Sequence, residues 1–336
     1  MQDCIAFSIA EASQVGEARR MAMAIATNLG FNETERGKVG IVVTEVANNL
    51  VRHAKEGELL LRPLFKDSLS GLEILALDKG PGMANVNQCL RDGFSTGGTS
   101  GTGLGATLRL SAFFDIHSVP SLGTAIVAHL WSKPLPQRLS AGLEIGVVCL
   151  PKAGETACGD AWAVEQQSGR ASAIVADGLG HGPDAALASQ TAVRVFQENA
   201  RLPPNQILEA VHGALRSTRG AAVAIAELDL NQQQVRFAGV GNIAGSVLTA
   251  EKSWSMISYN GIVGYQIRKI QEFVYPLPSQ SLLILHSDGL ATQWRVDRYP
   301  GLAARHPSLI AGVLYRDFKR GSDDVTVLVA RQVPQF

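Results

Sequence analysis

The sequence has no net charge. Lysine and arginine total 30, and aspartate and glutamate total 30. The basic excess typical of a nucleic-acid-binding chain is missing, so nucleic acid is not expected as a partner. No apolar run of about 18 residues occurs, so no membrane span is expected. Met1-Gln2-Asp3-Cys4 lacks the basic-then-apolar layout of a signal peptide. Cys4, Cys89, Cys149 and Cys158 form no CxxC pair and no disulfide framework, which points to a reducing cytoplasm. There is no internal repeat and no low-complexity tract. What the chain does have is length, apolar material and glycine. Its 336 residues suggest two domains at roughly 150 residues each. A hydrophobic fraction of 46% against 18% charged gives material for two cores and excludes disorder over most of the chain. The 34 glycines gather in a few short stretches.

The halves differ in pattern. Helical spacing runs over about Glu11–Leu29, with Val15, Ala18, Ala22, Ile25 and Leu29 on one stripe and Gly30 as a stop. A second helix opens after Asn32, where Asn32 and Glu35 resemble a capping box. Strands are expected at Glu58–Leu64 and Leu72–Asp78, a helix over Ala106–Phe114, and strands at Ile116–Val119 and Thr124–Trp131. Lys133-Pro134-Leu135-Pro136-Gln137-Arg138 reads as a stiff, exposed linker, which puts the domains at 1–132 and 141–336 with 133–140 between them. Beyond it, strands are expected at Leu143–Leu150, Ala161–Glu165, Ala171–Ala176, Ala221–Asp229, Gln234–Gly239, Gly245–Leu248, Ser281–His286 and Val325–Ala330. Helical patterns cover Pro183–Asn199 and Pro204–Thr218.

In the first half, Glu45 and Asn49 lie one helical turn apart on one face. Asp78 ends an apolar strand and opens Asp-Lys-Gly-Pro-Gly, with Gly80 and Gly82. A carboxylate at such a point can accept a hydrogen bond from an exocyclic amine such as adenine's, and the glycines let a ring approach the backbone. Gly101-Thr102-Gly103-Leu104-Gly105 leads into a helix, a natural seat for phosphate oxygens. It is not a Walker loop, because no GK[ST] follows, and it does not follow a strand as a Rossmann fingerprint must. Each piece alone also fits a plain solvated face or turn.

Taken in order, with a late Gly123-Thr124, the pieces resemble the GHKL ATP-binding fold. Leu29-Gly30-Phe31, Thr44-Glu45-Val46-Ala47-Asn48-Asn49, Asp78-Lys79-Gly80-Pro81-Gly82 and Asp92-Gly93-Phe94-Ser95-Thr96 resemble the RsbT-like serine/threonine protein kinases of the anti-sigma regulatory factor family. That resemblance covers about residues 1–132. It implies that Asn49 holds Mg²⁺ against the phosphates of ATP and that Asp78 reads adenine. It implies that Gly80, Gly82, Gly101, Gly103, Leu104, Gly105 and Thr124 line the nucleotide, with Glu45 as general base for a substrate hydroxyl. Phosphoryl transfer needs mainly such positioning, Mg²⁺ and a carboxylate near the nucleophile. No histidine precedes the Glu45 segment, which disfavours a sensor histidine kinase.

In the second half, Asp160, Asp177, Asp288 and the Asp323-Asp324 pair stand at strand ends, and Asp177 and Asp288 are each followed by glycine. A single Asp-Gly marks a turn. Several strand-end carboxylates instead suit hard divalent cations, two of which, about 3.5–4 Å apart, can activate water and clamp a phosphate. Gly159-Asp160-Ala161-Trp162, Ala176-Asp177-Gly178-Leu179-Gly180-His181-Gly182, Ser287-Asp288-Gly289 and Asp323-Asp324-Val325-Thr326 resemble the SpoIIE-type, metal-dependent serine/threonine phosphatases, nearest the RsbX-like members, over about residues 141–332. The resemblance implies Asp160, Asp177, Asp288 and Asp323 as ligands of two Mn²⁺ or Mg²⁺ ions, Gly178 through its carbonyl, and Asp177 as part of the catalytic centre. His181 reads as a loop residue with a general-acid role as the alternative, and His286 as a core residue.

The expected fold class is α+β: a GHKL (Bergerat) α/β sandwich followed by a PPM-type phosphatase β-sandwich flanked by helices. The expected function is a cytoplasmic partner-switching regulator. It would phosphorylate and dephosphorylate serine or threonine on STAS-domain proteins, such as a stressosome scaffold or an anti-sigma-factor antagonist. The alternatives are a phosphatase whose first domain only senses ATP or docks a partner, and a non-catalytic anti-sigma-type binding switch. The sequence leaves the oligomeric state open.

Overall fold

The structure is a computed structural model and describes residues 4–66, 68–91, 103–135 and 142–332. The chain opens with β1 (Ile5–Ser8), α1 (Ala12–Asn28), α2 (Glu33–His53), β2 (Glu58–Lys66), β3 (Leu69–Asp78), α3 (Val86–Cys89), α4 (Gly103–Leu110), β4 (Phe113–Ser118) and β5 (Thr124–Trp131). It continues with β6 (Leu143–Leu150), β7 (Asp160–Gln167), β8 (Arg170–Gly178), α5 (Pro183–Asn199), α6 (Pro204–Ala214), β9 (Ala221–Asp229), β10 (Gln234–Val240), β11 (Ala244–Leu248) and β12 (Ser253–Ser255). The last elements are β13 (Gly261–Ile262), β14 (Gln266–Ile267), β15 (Phe273–Pro276), β16 (Leu282–His286), α7 (Pro307–Phe318) and β17 (Val325–Gln332).

Two compact units result, and they do not follow the two halves of the chain. One is Gln2–Leu139 together with Arg295–Arg316; the other is Ser140–Trp294 together with Asp317–Phe336. The detour of Arg295–Arg316 into the first unit has no counterpart in the sequence reading, which ran a single domain over 141–336. Of the expected linker, Lys133 and Pro134 are exposed and residues 136–140 lie outside the described residues.

The first unit is an antiparallel sheet in the order β1-β2-β3-β5-β4. Leu59, Leu61, Leu72, Ile74, Ala76, Ile126, Ala128 and Leu130 on one face pack with Val15, Ala18 and Ala22 of α1 and Val39, Val43, Val46 and Leu50 of α2. On the opposite face Leu60, Leu75, Leu77, Ala125 and Val127 are buried as well. The Arg295–Arg316 segment lies there. A Cβ on Gly312 would stand 2.9 Å from a Leu77 methyl and 3.0 Å from one of Leu75. Burial on both faces explains why β3 reads as a near-continuous apolar run, because period-two alternation needs one wet face.

Local signals explain the ends of the helices. Asn32 Oδ1 accepts the Glu35 amide at 2.9 Å and caps α2. The Glu35 carboxylate turns instead to Lys38 at 2.8 Å, so the expected box closes on one side only. The helix expected over Ala106–Phe114 starts earlier and ends earlier. The Ala112 amide bonds to His129 O at 2.9 Å, which draws the chain out of the helix and into sheet pairing from Phe113 onward.

The second unit stacks the sheet β15-β10-β9-β8-β7 on the sheet β12-β11-β16-β17-β6. Val147, Cys149, Ala173, Val175, Ala226, Phe237, Val247, Leu285 and Leu328 fill the space between them. On the outer face of the first sheet, Ala192, Val193 and Phe196 of α5 and Ile207, Leu208 and Val211 of α6 cover Ile174, Ala176, Val223 and Ile225. β7 and β8 form a hairpin whose register runs from Gln167↔Arg170 at the turn to Asp160↔Asp177 at the far end.

Glu73 carries the polar part of the first core. It stands opposite Arg62 on one neighbouring strand and opposite His129 on the other. Arg62 Nε and Nη2 reach its Oε1 at 3.0 and 2.9 Å. His129 Nε2 and Ser308 Oγ reach Oε2 at 2.9 and 2.5 Å. Burial by itself would raise the Glu73 pKa, but Arg62 and then His129 and Ser308 outweigh it and hold the carboxyl well below the usual carboxylate range. Removing the carboxylate strands a buried guanidinium, so Glu73→Ala is expected to cost about 3–5 kcal/mol by chemical denaturation. Because the folded pKa is depressed, the contribution of Glu73 is complete above the unfolded value of about 4.3 and is lost as pH falls below it. Between about pH 5 and pH 3, wild type should therefore lose stability more steeply than Glu73→Gln.

Candidate functional sites

In the first unit α2 sets Glu45 and Asn49 half-buried on one face, while Val46, Ala47 and Leu50 enter the core. Gly103 opens α4 against this face, and a Cβ there would lie 2.5 Å from Glu45 Oε2. Gly103, Leu104 and Gly105 form the first turn of α4 and not a loop before it. Gly101 lies outside the described residues, as does the Asp92–Thr96 stretch.

Asp78 ends β3 in register with Thr124, the first residue of β5. Its Oδ1 accepts the Gly80 amide at 2.6 Å. Burial raises the Asp78 pKa, against backbone hydrogen bonds from Gly80 and Thr124 and the nearby charge of Arg316. An ionised carboxyl has about four acceptor positions, so these bonds leave capacity for a ligand donor. Gly82 has φ +69°, and a Cβ there would lie 2.1 Å from Val119 O, so only glycine lets the turn close on the β4–β5 loop. Ser118 Oγ ties the turn to the sheet, 2.8 Å from the Met83 amide and 2.9 Å from Thr124 Oγ1. Glu45, Asn49 and Gly103–Gly105 thus share the α2–α4 side of the unit, and Asp78, Gly80, Gly82 and Thr124 share one end of its sheet.

In the second unit the sandwich brings its strand-end acids to one rim. Asp160 and Asp177 face each other across the β7–β8 ladder. Asp288 follows β16, and Asp323 and Asp324 precede β17. Burial, then Asp160, Asp288, Asp323 and Asp324 in that order, all push the Asp177 pKa up. Burial pushes Asp160 up too, a hydrogen bond from Ser287 pulls it down, and Asp324 and Asp288 add to the rise. The carboxylates therefore feel one another as a crowded set of like charges. Asp160 is 1% exposed, and its Oδ1 has no partner of hydrogen-bonding geometry, although the Thr326 hydroxyl lies beside it. A buried carboxylate oxygen without a donor, among four more carboxylates, fits a cation.

Among the described residues, three ligand-type groups fall within 4.8 Å of one another only at Glu73, His129 and His306. There Glu73 is already engaged by Arg62, His129 and Ser308. The carboxylates of the acidic rim do not meet that spacing.

Several residues that orient the acids were not singled out from sequence. Ser287 Oγ donates to Asp160 Oδ2 at 2.6 Å and accepts the Thr326 amide at 2.9 Å. Both lie inside the quoted motifs, so position could have flagged them. Asn242 Nδ2 donates to Asp288 Oδ2 at 2.7 Å, from a loop with no sequence signal. Asp324 Oδ1 accepts the Lys152 amide at 2.9 Å and so holds the 152–159 turn. His181 Nδ1 lies 2.7 Å from Glu155 Oε1, in an exposed pair. His286 is buried, with Trp294 Nε1 donating to its Nε2 at 3.0 Å.

Comparison with known proteins bears on both units. Residues 9–129 match the histidine kinase-like ATPase domain. Over 114 residues, 34% of this chain and 86% of the relative, the sequence is 33% identical to the serine/threonine-protein kinase RsbT of Bacillus subtilis (strain 168). The chain belongs to the RsbT family. Beyond this RsbT-like part, residues 167–333 match stage II sporulation protein E (SpoIIE). The phosphoserine phosphatase RsbX of the same organism is 28% identical over 143 residues, 42% of this chain and 71% of that one. A solved structure from work on the bacterial stressosome, as a modular system adapted to control secondary messenger signaling, has a TM-score of 0.54 at 30% identity, covering 56% of this chain and 99% of its own. The RsbT-family domain is therefore fused to a PP2C-type serine/threonine phosphatase domain.

A Cβ on Gly178 would lie 2.0 Å from the main-chain oxygen of Ala185. Backbone cannot yield there as a side chain could. Gly178→Ala should therefore lower the melting temperature and phosphatase turnover together. Gly103→Ala, which meets only the movable Glu45 carboxylate, should change stability by less than about 1 kcal/mol.

Proposed function

We propose that the protein is a bifunctional partner-switching regulator. Its first unit phosphorylates, and its second dephosphorylates, serine or threonine on STAS-domain proteins in the cytoplasm. The reading fits a chain in which no described helix is long and apolar enough to cross a membrane. The observation that carries it is the acidic rim with its unpartnered Asp160 oxygen, found in one chain with a Glu45–Asn49 face and an Asp78 turn.

In the first unit Asp78 binds the adenine amine, and Gly80, Gly82, Gly101, Gly103, Leu104, Gly105 and Thr124 line the nucleotide. Asn49 holds Mg²⁺ against the phosphates. Glu45 takes the proton from the substrate hydroxyl as its oxygen bonds to the γ-phosphorus of ATP and ADP leaves. In the second unit Asp160, Asp177, Asp288, Asp323 and the Gly178 carbonyl hold two Mn²⁺ or Mg²⁺ ions. Such ions supply Lewis-acid charge for a phosphoryl group and a water nucleophile at neutral pH. Ser287 and Asn242 aim Asp160 and Asp288, while Asp324 is committed to the 152–159 turn, which favours Asp323 as the ligand. Fusion raises the concentration of each activity at a shared target.

The test is phosphate transfer from labelled ATP to STAS-domain proteins of the same organism, using Asp177→Asn so that the product survives. Label on a serine or threonine, lost with Glu45→Gln and removed by wild type with Mn²⁺, is the expected result. ATP binding without any transfer would reduce the first unit to a sensing or docking module. In parallel, Mn²⁺ should raise the melting temperature of wild type by several degrees and that of Asp177→Asn by much less.

A further inference from the structure

The chain does not pass from Asp288 to Asp323 within one unit. It leaves after Trp294, gives Arg295–Arg316 to the RsbT-like unit and returns at Asp317. At the neck of this excursion the departing and returning strands are bonded together inside the phosphatase unit. The Ala291 amide donates to Phe318 O and the Arg320 amide to Gly289 O, both at 2.9 Å. This clamp begins one residue after Asp288 and ends three before Asp323.

The far part of the excursion holds the sheet end that carries Asp78. Arg316, 6% exposed, donates through Nη1 to the main-chain oxygen of Asp78 at 2.7 Å. The Tyr315 hydroxyl donates to Glu58 Oε1 at 2.8 Å, and Glu58 pairs with Leu77, the residue before Asp78. Arg305 Nη1 and the His306 amide grip Asp115 of β4 at 3.1 and 2.9 Å. Arg316 is thus bonded to the adenine-reading residue and lies two positions from the neck of the phosphatase site.

We propose that Arg316 is a positioning residue for the nucleotide, and that the Arg295–Arg316 excursion couples nucleotide binding at Asp78 to turnover at the acidic rim. The proposal rests on the ATP reading of Asp78. A base that bonds the Asp78 carboxyl fixes the strand end. The main-chain oxygen there fixes Arg316, and Phe318, two residues on, and Arg320, four residues on, are hydrogen-bonded to the segment that begins at Gly289. The nucleotide thereby favours one arrangement of the neck, and a coupling free energy between the two sites follows.

The experiment measures two quantities on the full chain. One is the affinity of a fluorescent, non-hydrolysable ATP analogue with Mg²⁺. The other is hydrolysis of p-nitrophenyl phosphate at constant free Mn²⁺, with and without that analogue, each variant compared with its own rate. Wild type should bind the analogue, and its hydrolysis rate should change at least about twofold. Arg316→Ala should bind the analogue about fivefold or more weakly and lose the rate change even at saturation, and Arg316→Lys should recover part of both. Amide exchange at Ala291 and Arg320 should slow on nucleotide binding in wild type only. Should Arg316→Ala not fold, Tyr315→Phe, which removes one hydroxyl, is expected to weaken the response. Binding to wild type with an unchanged rate, or an Arg316→Ala protein that binds and responds as wild type does, overturns the coupling. No binding to wild type overturns the ATP reading, and the coupling with it.

Discussion

A carboxylate in the middle of a sheet with no wet face has to be neutralised by its neighbours, and Glu73 is such a group. Arg62 and His129 come from the adjoining strands by register, and Ser308 comes from about 230 residues later in the chain. Two of the three side chains that satisfy Glu73, Arg62 and His129, could be inherited by an isolated domain of this fold. The third, Ser308, cannot, because it arrives with α7. The charged core of the RsbT-like unit is therefore complete only when the other half of the chain has been made. Breaking such a network costs more than the pair is worth in isolation, since the remaining charge stays buried.

The acidic rim inverts the same physics. Around Glu73 a single carboxylate has a surplus of donors. Around Asp177 several carboxylates share few, and burial and mutual repulsion act in the same direction. The first arrangement is stable as it stands. Added protons or cations would relieve the second. One chain thus contains a compensated electrostatic network around Glu73 and an under-compensated one around Asp177.

Much of this was legible in the sequence because it was local. Strand ends marked by Asp-Gly, the Glu45–Asn49 turn and the Asp78 turn each fit within a few residues, and the strands Leu143–Leu150, Thr124–Trp131 and Ala221–Asp229 have the expected limits. Helix α7 was not read, although Pro307 opens it and ten of its residues are buried. A short apolar run such as Leu309–Tyr315 does not by itself separate a buried helix from a buried strand. The continuous apolar run of β3 held the complementary clue, that something must cover its second face, but not what. Asn242 shows a different limit: a loop side chain that orients a distant acid leaves no pattern at all.

The β7–β8 hairpin sets the two facing acids of the rim from the opposite end of the sandwich. Its turn, Ser168-Gly169, has two residues, with Gly169 at φ +73°. Seven residue steps at about 3.3 Å separate that turn from the Asp160–Asp177 pair, a distance of roughly 23 Å. The turn works as the zero mark of a ruler. A one-residue slip of register there would leave the sequence of every motif untouched, yet put the two carboxylates on opposite faces of the sheet. The spacing between motifs is thus as much a part of the site as the motifs themselves.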